Sequence, residues 1–370
     1  MHFSTLLATS LVLAGSAFAA PPSPPPPPPG PPGHGTPPPG PPPPGPVKGD
    51  SLYKAILSRG RTFAGTALTL RNETAEPKII HQEFNSYNSM KWESTEPSRN
   101  NFTLEDADRY AQYAKDNKLQ IHCHNFVWHS QLPPWVANGG FDNKTLIGIM
   151  ENHIKVLATR YKSVCTRWDV VNEALNEDGT YRESVWYNTI GEAFLPIAFR
   201  FAAKYTDKST KLFYNDYNLE YNGAKTDGAA RIVKLIKSYG VKIDGVGYQA
   251  HLTTEATPTS PGAAPNTTVL EAALLKTADL GVDVAYTELD LRMNTPVTLE
   301  KLAVQANFYE SVAKSCLCVK RCIGITVWGI SDKYSWIPGV FAGEGAALVW
   351  DENYNKKPAY AGLLKGILGK

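Results

Sequence analysis

From about residue 62 the chain alternates short apolar runs, each ending in polar and aromatic residues, with longer stretches of helical spacing. Eight runs read as strands: Thr62–Leu68, Ile79–Phe84, Leu119–Val127, Cys165–Asn172, Lys211–Asn215, Ile243–Gln249, Val282–Glu288 and Cys322–Trp328. Between them lie amphipathic segments such as Leu104–Lys118 and Ala229–Tyr239, where Ile232, Val233, Leu235 and Ile236 recur on one helical face. Strands alternating with helices make a parallel sheet, and eight units in about 300 residues predict a closed (β/α)8 TIM barrel. The competing arrangement is an open doubly wound sheet. It fits less well, because no glycine-rich phosphate loop follows the first run and eight units exceed what one open sheet normally carries. In a barrel, functional side chains come from the C-terminal strand ends. That rule gathers His124, Trp128, His129, Asn172, Glu173, Asn215, Asp216, Tyr217, Gln249, His251, Glu288, Asp290 and Trp328 at one mouth.

The front of the chain follows no such rhythm. Residues 1–19 form a short apolar stretch ending in Ala17-Phe18-Ala19, the pattern of a secretory signal peptide. Residues 20–50 are a Pro/Gly-rich linker, with 18 of the 29 prolines between 21 and 46. Such a segment cannot bury a core and is expected to be disordered, extended and semi-rigid; a docking stretch for proline-recognising partners is the alternative. The globular argument therefore concerns 51–370. A net charge of +2, from 37 basic and 35 acidic residues, supplies no field for gripping nucleic acid. No apolar stretch in the domain reaches the ~18–20 residues of a membrane span. The expected product is a secreted, extracellular monomer.

Five cysteines suit that compartment. Cys316 and Cys322 can pair across a tight turn; a metal knuckle competes, but it lacks the usual spacing and a nearby histidine. Cys123 and Cys165 sit in apolar runs and read as inert core residues. Sequons at Asn72, Asn101, Asn143 and Asn266 are candidate N-glycosylation sites.

The informative pair is Asp169-Val-Val-Asn172-Glu173 and Tyr286-Thr-Glu288-Leu-Asp290, each placing a glutamate at the end of an apolar run. Two carboxylates buried near one another are costly unless chemistry divides their roles, one protonated and one charged. Acetal hydrolysis needs that division, at an expected separation of about 5–5.5 Å for a retaining enzyme. Trp128, Trp328 and Trp336 offer flat faces for sugar rings, and Asn88, Lys91, Asn172 and Gln249 offer groups for hydroxyls. His122 and His124 point to one strand face and His129 to the other, which argues against a three-histidine metal centre. No metal and no cofactor is expected.

The motifs Asn88-Ser-Met-Lys91-Trp92, His124-Asn-Phe-Val-Trp128-His129-Ser-Gln131, Trp168-Asp-Val-Val-Asn172-Glu173, Asn215-Asp-Tyr217-Asn218, Gln249-Ala-His251, Thr287-Glu288-Leu-Asp290 and Gly324-Ile-Thr-Val-Trp328-Gly329 resemble glycoside hydrolase family 10. The resemblance runs in order from about Leu52 to Leu364. It implies a secreted, retaining endo-1,4-β-xylanase acting on xylan and xylooligosaccharides. An endo-1,4-β-glucanase with the same machinery, or a carbohydrate-binding protein that has lost catalysis, are the alternatives. By motif, Glu173 resembles the acid/base and Glu288 the nucleophile. Asn172 would hold the sugar 2-hydroxyl, and His251, oriented by Asp290, would hydrogen-bond Glu288. Lys91, His124, Trp128, Gln249, Trp328 and Trp336 would line the glycone side, with Tyr217 on the leaving-group side. Cys316 and Cys322 match a disulfide pair common in the family. One departure stands out: the family's Thr-x-Glu before the Asn of Asn88-Ser-Met-Lys91 is missing here, leaving the segment about three residues short and without a glutamate that grips the second glycone sugar.

Overall fold

The computed structural model describes residues 51–71, 73–84 and 86–369. The expected signal peptide, the expected linker and Asn72 lie outside the described residues. Eight parallel strands close a barrel: β1 (Phe63–Ala67), β2 (Ser86–Ser89), β3 (Gln120–Val127), β4 (Cys165–Asn172), β5 (Lys211–Asp216), β6 (Gly245–Tyr248), β7 (Asp283–Asn294) and β8 (Cys322–Val327). Each pairs with the next in chain order, and β8 returns to β1 with Gly65 opposite Thr326. Closure leaves the eight strands no free edge.

Seven of the eight anticipated runs overlap barrel strands. The second does not. Ile79–Phe84 falls mostly in the helix Ala75–Glu83, whose buried residues Glu76, Ile80 and Glu83 repeat at helical spacing. Glu83 is anchored there by the Leu52 amide at 3.0 Å and the Tyr360 hydroxyl at 2.8 Å. The true β2, Ser-Tyr-Asn-Ser, has no apolar signature; backbone pairing to both neighbours defines it, Ser86 lying opposite Gly65 and Gln120. The shortened segment therefore still completes the barrel.

Inside, the side chains stack in layers. Phe63, Phe213 and Ala285 form a small cluster, with the Arg167 guanidinium 4.0 Å from the Phe63 ring centre. The two glycines of β6 make room for inward neighbours: a Cβ on Gly245 would lie 2.3 Å from the Phe213 ring, and one on Gly247 would lie 2.1 Å from Asn215 Oδ1. The larger core sits between strands and helices, where Trp168, Tyr214, Tyr248 and Tyr286 are fully buried.

Cys316 and Cys322 form the expected disulfide, tying the helix Leu299–Cys318 to the start of β8. Cys123 and Cys165 are not the separate core thiols expected from their apolar runs. They form a second disulfide across β3 and β4, because adjacent parallel strands bring their Cα atoms to 5.7 Å. Asn101, Asn143 and Asn266 all lie at exposed positions. Among the described residues no helix is long and apolar enough to cross a membrane.

Candidate active site

The mouth is built from strand ends. On β3, His122 Nε2 and His124 Nδ1 lie 2.8 and 2.9 Å from the two carboxylate oxygens of Asp169 on β4. Burial would raise the Asp169 carboxyl, but the two imidazoles beside it hold it down at about 2. Both histidines are thus committed to Asp169. That bond fixes the His124 ring against Trp128 and Trp328, whose centres lie 5.9 and 5.8 Å away.

Glu173 follows β4 directly. Its backbone takes a left-handed turn (φ 54°), a conformation costing on the order of 1–3 kcal/mol for a non-glycine residue. The turn is held from both sides: its amide donates to the Asn215 carbonyl at 2.9 Å, and Arg182 Nε donates to its carbonyl at 3.1 Å. The side chain is thereby directed to Trp128 Nε1, which donates to Oε2 at 2.9 Å, and to Gln249 Nε2, which donates to Oε1 at 3.0 Å.

Glu288, on β7, is buried on the opposite side of the same network. Asn215 Nδ2 donates to its Oε1 at 2.8 Å, and His251 Nε2 lies 3.1 Å from its Oε2. His251 Nδ1 is 2.9 Å from Asp290, which also accepts from Trp336 Nε1 at 2.9 Å. Burial would lower the His251 ring, yet Asp290 and Glu288 outweigh it and lift the imidazole to about 10. At neutral pH His251 is therefore a cation, donating from both nitrogens.

The two glutamates belong to one hydrogen-bonded array. The Asn172 amide lies 2.9 Å from that of Asn215 and 3.2 Å from that of Gln249, and these two reach Glu288 and Glu173 respectively. Lys91 faces both carboxylates; burial nevertheless lowers its ammonium below the usual lysine range. Its Nζ lies 5.4 Å from the Trp128 ring centre. Trp336 packs at 4.9 Å and Trp328 at 6.2 Å from the His251 ring, both at steep angles. Glu173, His251, Lys91, Trp328 and Trp336 are only half-buried, whereas Asp169, Asn215 and Asp290 behind them are sealed.

Of the residues the sequence singled out, Lys91, His124, Trp128, Asn172, Glu173, Tyr217, Gln249, His251, Glu288, Asp290, Trp328 and Trp336 all converge here. Asn88 is on β2, its backbone opposite Ala67 and His122. Sequence reasoning placed Asn215 at the mouth without a role; the structure makes it the bridge between Glu288 and Asn172. It quoted Asp169 without giving it a role, and it passed over Arg182 and Lys225. Asp169 shares a motif with Glu173, a usable signal, whereas Arg182 and Lys225 look like ordinary surface charges.

A (β/α)8 barrel presenting two glutamates amid tryptophans at its C-terminal mouth defines a glycosidase-type enzyme. The chain belongs to glycosyl hydrolase family 10, which it matches over residues 51–366. It is 58% identical to endo-1,4-beta-xylanase 2 of Aureobasidium pullulans over 99% of this chain and 98% of that protein. Endo-1,4-beta-xylanase 1 of Gibberella zeae is 55% identical over 85% of this chain and 90% of its own length. Among solved structures, an endo-1,4-beta-xylanase of Penicillium canescens superposes with a TM-score of 0.81 at 34% identity, covering 87% of this chain and 98% of that one. A family 10 xylanase from Bispora sp. MEY-1 with xylobiose gives 0.80 at 34% identity, covering 85% and 99%.

Proposed function

We propose that this chain is a secreted, retaining endo-1,4-β-xylanase in which Glu288 is the nucleophile and Glu173 the acid/base. The observation that carries the assignment is the unequal setting of two carboxylates on one array. Glu288 is contacted by a cationic imidazole and an amide, an environment suited to a standing negative charge. Glu173 is contacted by neutral indole and amide donors in a half-open position, an environment suited to exchanging a proton.

Burial would raise the Glu173 carboxyl, but His129, Gln249, Trp128 and Lys225 together hold it below the usual glutamate range when no sugar is bound. Two effects reverse that during catalysis. Burial keeps the His129 ring at about 4, so its positive charge is gone at higher pH. A sugar filling the cleft also expels water and disfavours the ionised form further. Protonated Glu173 then donates to the leaving glycosidic oxygen while a Glu288 oxygen attacks the anomeric carbon. The C–O bond breaks and a glycosyl ester forms on Glu288. In the second step ionised Glu173 takes a proton from water, whose oxygen attacks the same carbon and releases Glu288. Two inversions retain the configuration. No step calls on a metal or cofactor.

Asn172 holds the sugar 2-hydroxyl in this reading. Lys91, His124, Trp128, Gln249, Trp328 and Trp336 line the glycone side, Tyr217 faces the leaving group, and Asn88 is a further candidate for a sugar hydroxyl. The xylan preference rests on the relatives named as xylanases. Residues 1–19 act as the signal peptide, 20–50 as the spacer and 51–370 as the catalytic domain, with glycans at the exposed sequons and two disulfides suited to an oxidising compartment. The test is product analysis on defined xylooligosaccharides, with initial rates on xylan and carboxymethylcellulose. Internal cleavage and a xylan preference are expected. A preference for cellulose would assign the glucanase reading, and wild type releasing no more sugar than Glu288→Ala would reduce the chain to a binding protein.

A further inference from the structure

Behind Glu173 lies a group of buried charges that the two-step chemistry leaves unused. Lys225, in the helix Ala224–Ser238, has only 3% of its side chain exposed. Its Nζ lies 3.2 Å from Asp216 Oδ1, 2.9 Å from Glu177 Oε1 and 3.2 Å from the centre of the Tyr217 ring. A lysine this deep needs such partners, since unpaired burial of an ammonium costs several kcal/mol. Asp216 in turn accepts from the Tyr214 hydroxyl at 2.5 Å and the Tyr217 amide at 2.9 Å. Arg182 closes the group: it donates to the Tyr217 hydroxyl at 2.6 Å and, through Nε, to the Glu173 carbonyl. A continuous set of contacts therefore runs from Lys225 through Asp216, Tyr217 and Arg182 to the acid/base.

We propose that Lys225 is a positioning residue: its buried ammonium clamps Asp216 and the Tyr217 ring behind the leaving-group side, and its charge biases Glu173 toward the ionised form needed for the second step. The proposal rests on the reading of Glu173 as acid/base. Around Glu173 the cationic groups are Lys225, Arg182, Lys91 and, at low pH, His129; Asp216, Tyr217 and Glu288 are the acidic ones, and Trp128 and Gln249 the neutral donors. Lys225 itself faces Glu177, Asp216 and Tyr217 directly, and Glu173, His129 and Glu220 at longer range. Burial lifts the Asp216 carboxyl to about 6 even with Lys225 pulling it down. Without the lysine charge Glu173 loses a cation. Asp216, no longer pulled down, then keeps its proton more readily and repels Glu173 less, which offsets that loss; with asparagine at 216 the offset is absent and the lysine charge acts alone.

The experiment compares kcat/KM against pH on a xylooligosaccharide for wild type, for Asp216→Asn, and for Asp216→Asn combined with Lys225→Gln, Lys225→Met or Lys225→Arg. Relative to Asp216→Asn, the alkaline limb is expected to move up by about half a pH unit or more in the Gln and Met variants and to return to the Asp216→Asn position in the Arg variant. A folded Gln variant whose limb stays in place, with a loss uniform across pH, would overturn the proposal and leave Lys225 a structural residue. Glu177→Gln, altered at a side chain 44% exposed, covers the case in which neither neutral variant folds. Loss of that anion must move the limb down, and an unchanged or higher limb would overturn the proposal. Wild type without activity on the same substrate would instead sink the xylanase reading.

Discussion

Asp290→Asn isolates the charge on His251. The ring lies between Asp290 at 2.9 Å and Glu288 at 3.1 Å, and these carboxylates overcome burial to raise it from 6.5 to about 10. A base whose pKa is higher in the folded than in the unfolded chain stabilises the fold in full below about pH 6.5, and that contribution disappears as pH rises through about 10. The shift sets a ceiling on the order of 5 kcal/mol. Water reaching the 14% of the side chain that is exposed screens part of it, leaving several kcal/mol. Asparagine at 290 removes the larger of the two charges lifting the ring, so the variant should be less stable near pH 6 and lose less between pH 6.5 and 10. The assay is urea unfolding of both proteins at pH 6, 8 and 9.5, with the imidazole titration followed by NMR. The difference between the proteins isolates this charge from other groups that titrate in the same window. In activity, a neutral His251 withdraws charge assistance from Glu288, about 1.5–3 kcal/mol, or about 10- to 150-fold in kcat/KM. A wild-type ring titrating near 6.5, or the same pH dependence of stability in both proteins, would refute the reasoning.

Glu173→Ala should lose about 10²- to 10⁴-fold on xylan. Azide should restore turnover of an aryl xylobioside with a good leaving group and yield a β-glycosyl azide, because that nucleophile needs no base; absence of rescue counts against the role. Opening the Cys123–Cys165 bridge by double alanine substitution should cost about 4 kcal/mol of unfolding free energy, against about 2.2 for Cys316–Cys322, because the closed loops differ in sequence separation, 42 against 6. Denaturation in urea that reverses this order would defeat the loop-entropy argument. Inserting Thr-Pro-Glu after Tyr87 should raise kcat/KM on xylan by restoring a remote sugar contact; no gain would show that the short segment costs the enzyme nothing.

The periodicity of apolar positions determined seven of the eight strands, because those runs are buried on both faces and need continuous hydrophobic side chains. It also placed Glu173 directly after β4, whereas Glu288, read as the end of its run, lies in the middle of a strand that continues to Asn294. β2 was beyond it: Ser86–Ser89 is held by backbone bonds to both neighbours, which carry no side-chain signature, while Ile79–Phe84 offered apolar residues that a helix uses. Pairing across the barrel was equally hidden. Cys123 and Cys165 became partners only once β3 lay beside β4, and Asp169 gained its two histidines by the same adjacency. The roles of Asn215, Arg182 and Lys225 depend on distances between elements far apart in sequence. Local patterning records which face of a segment avoids water, but which charge ends up against which is set by how the segments meet.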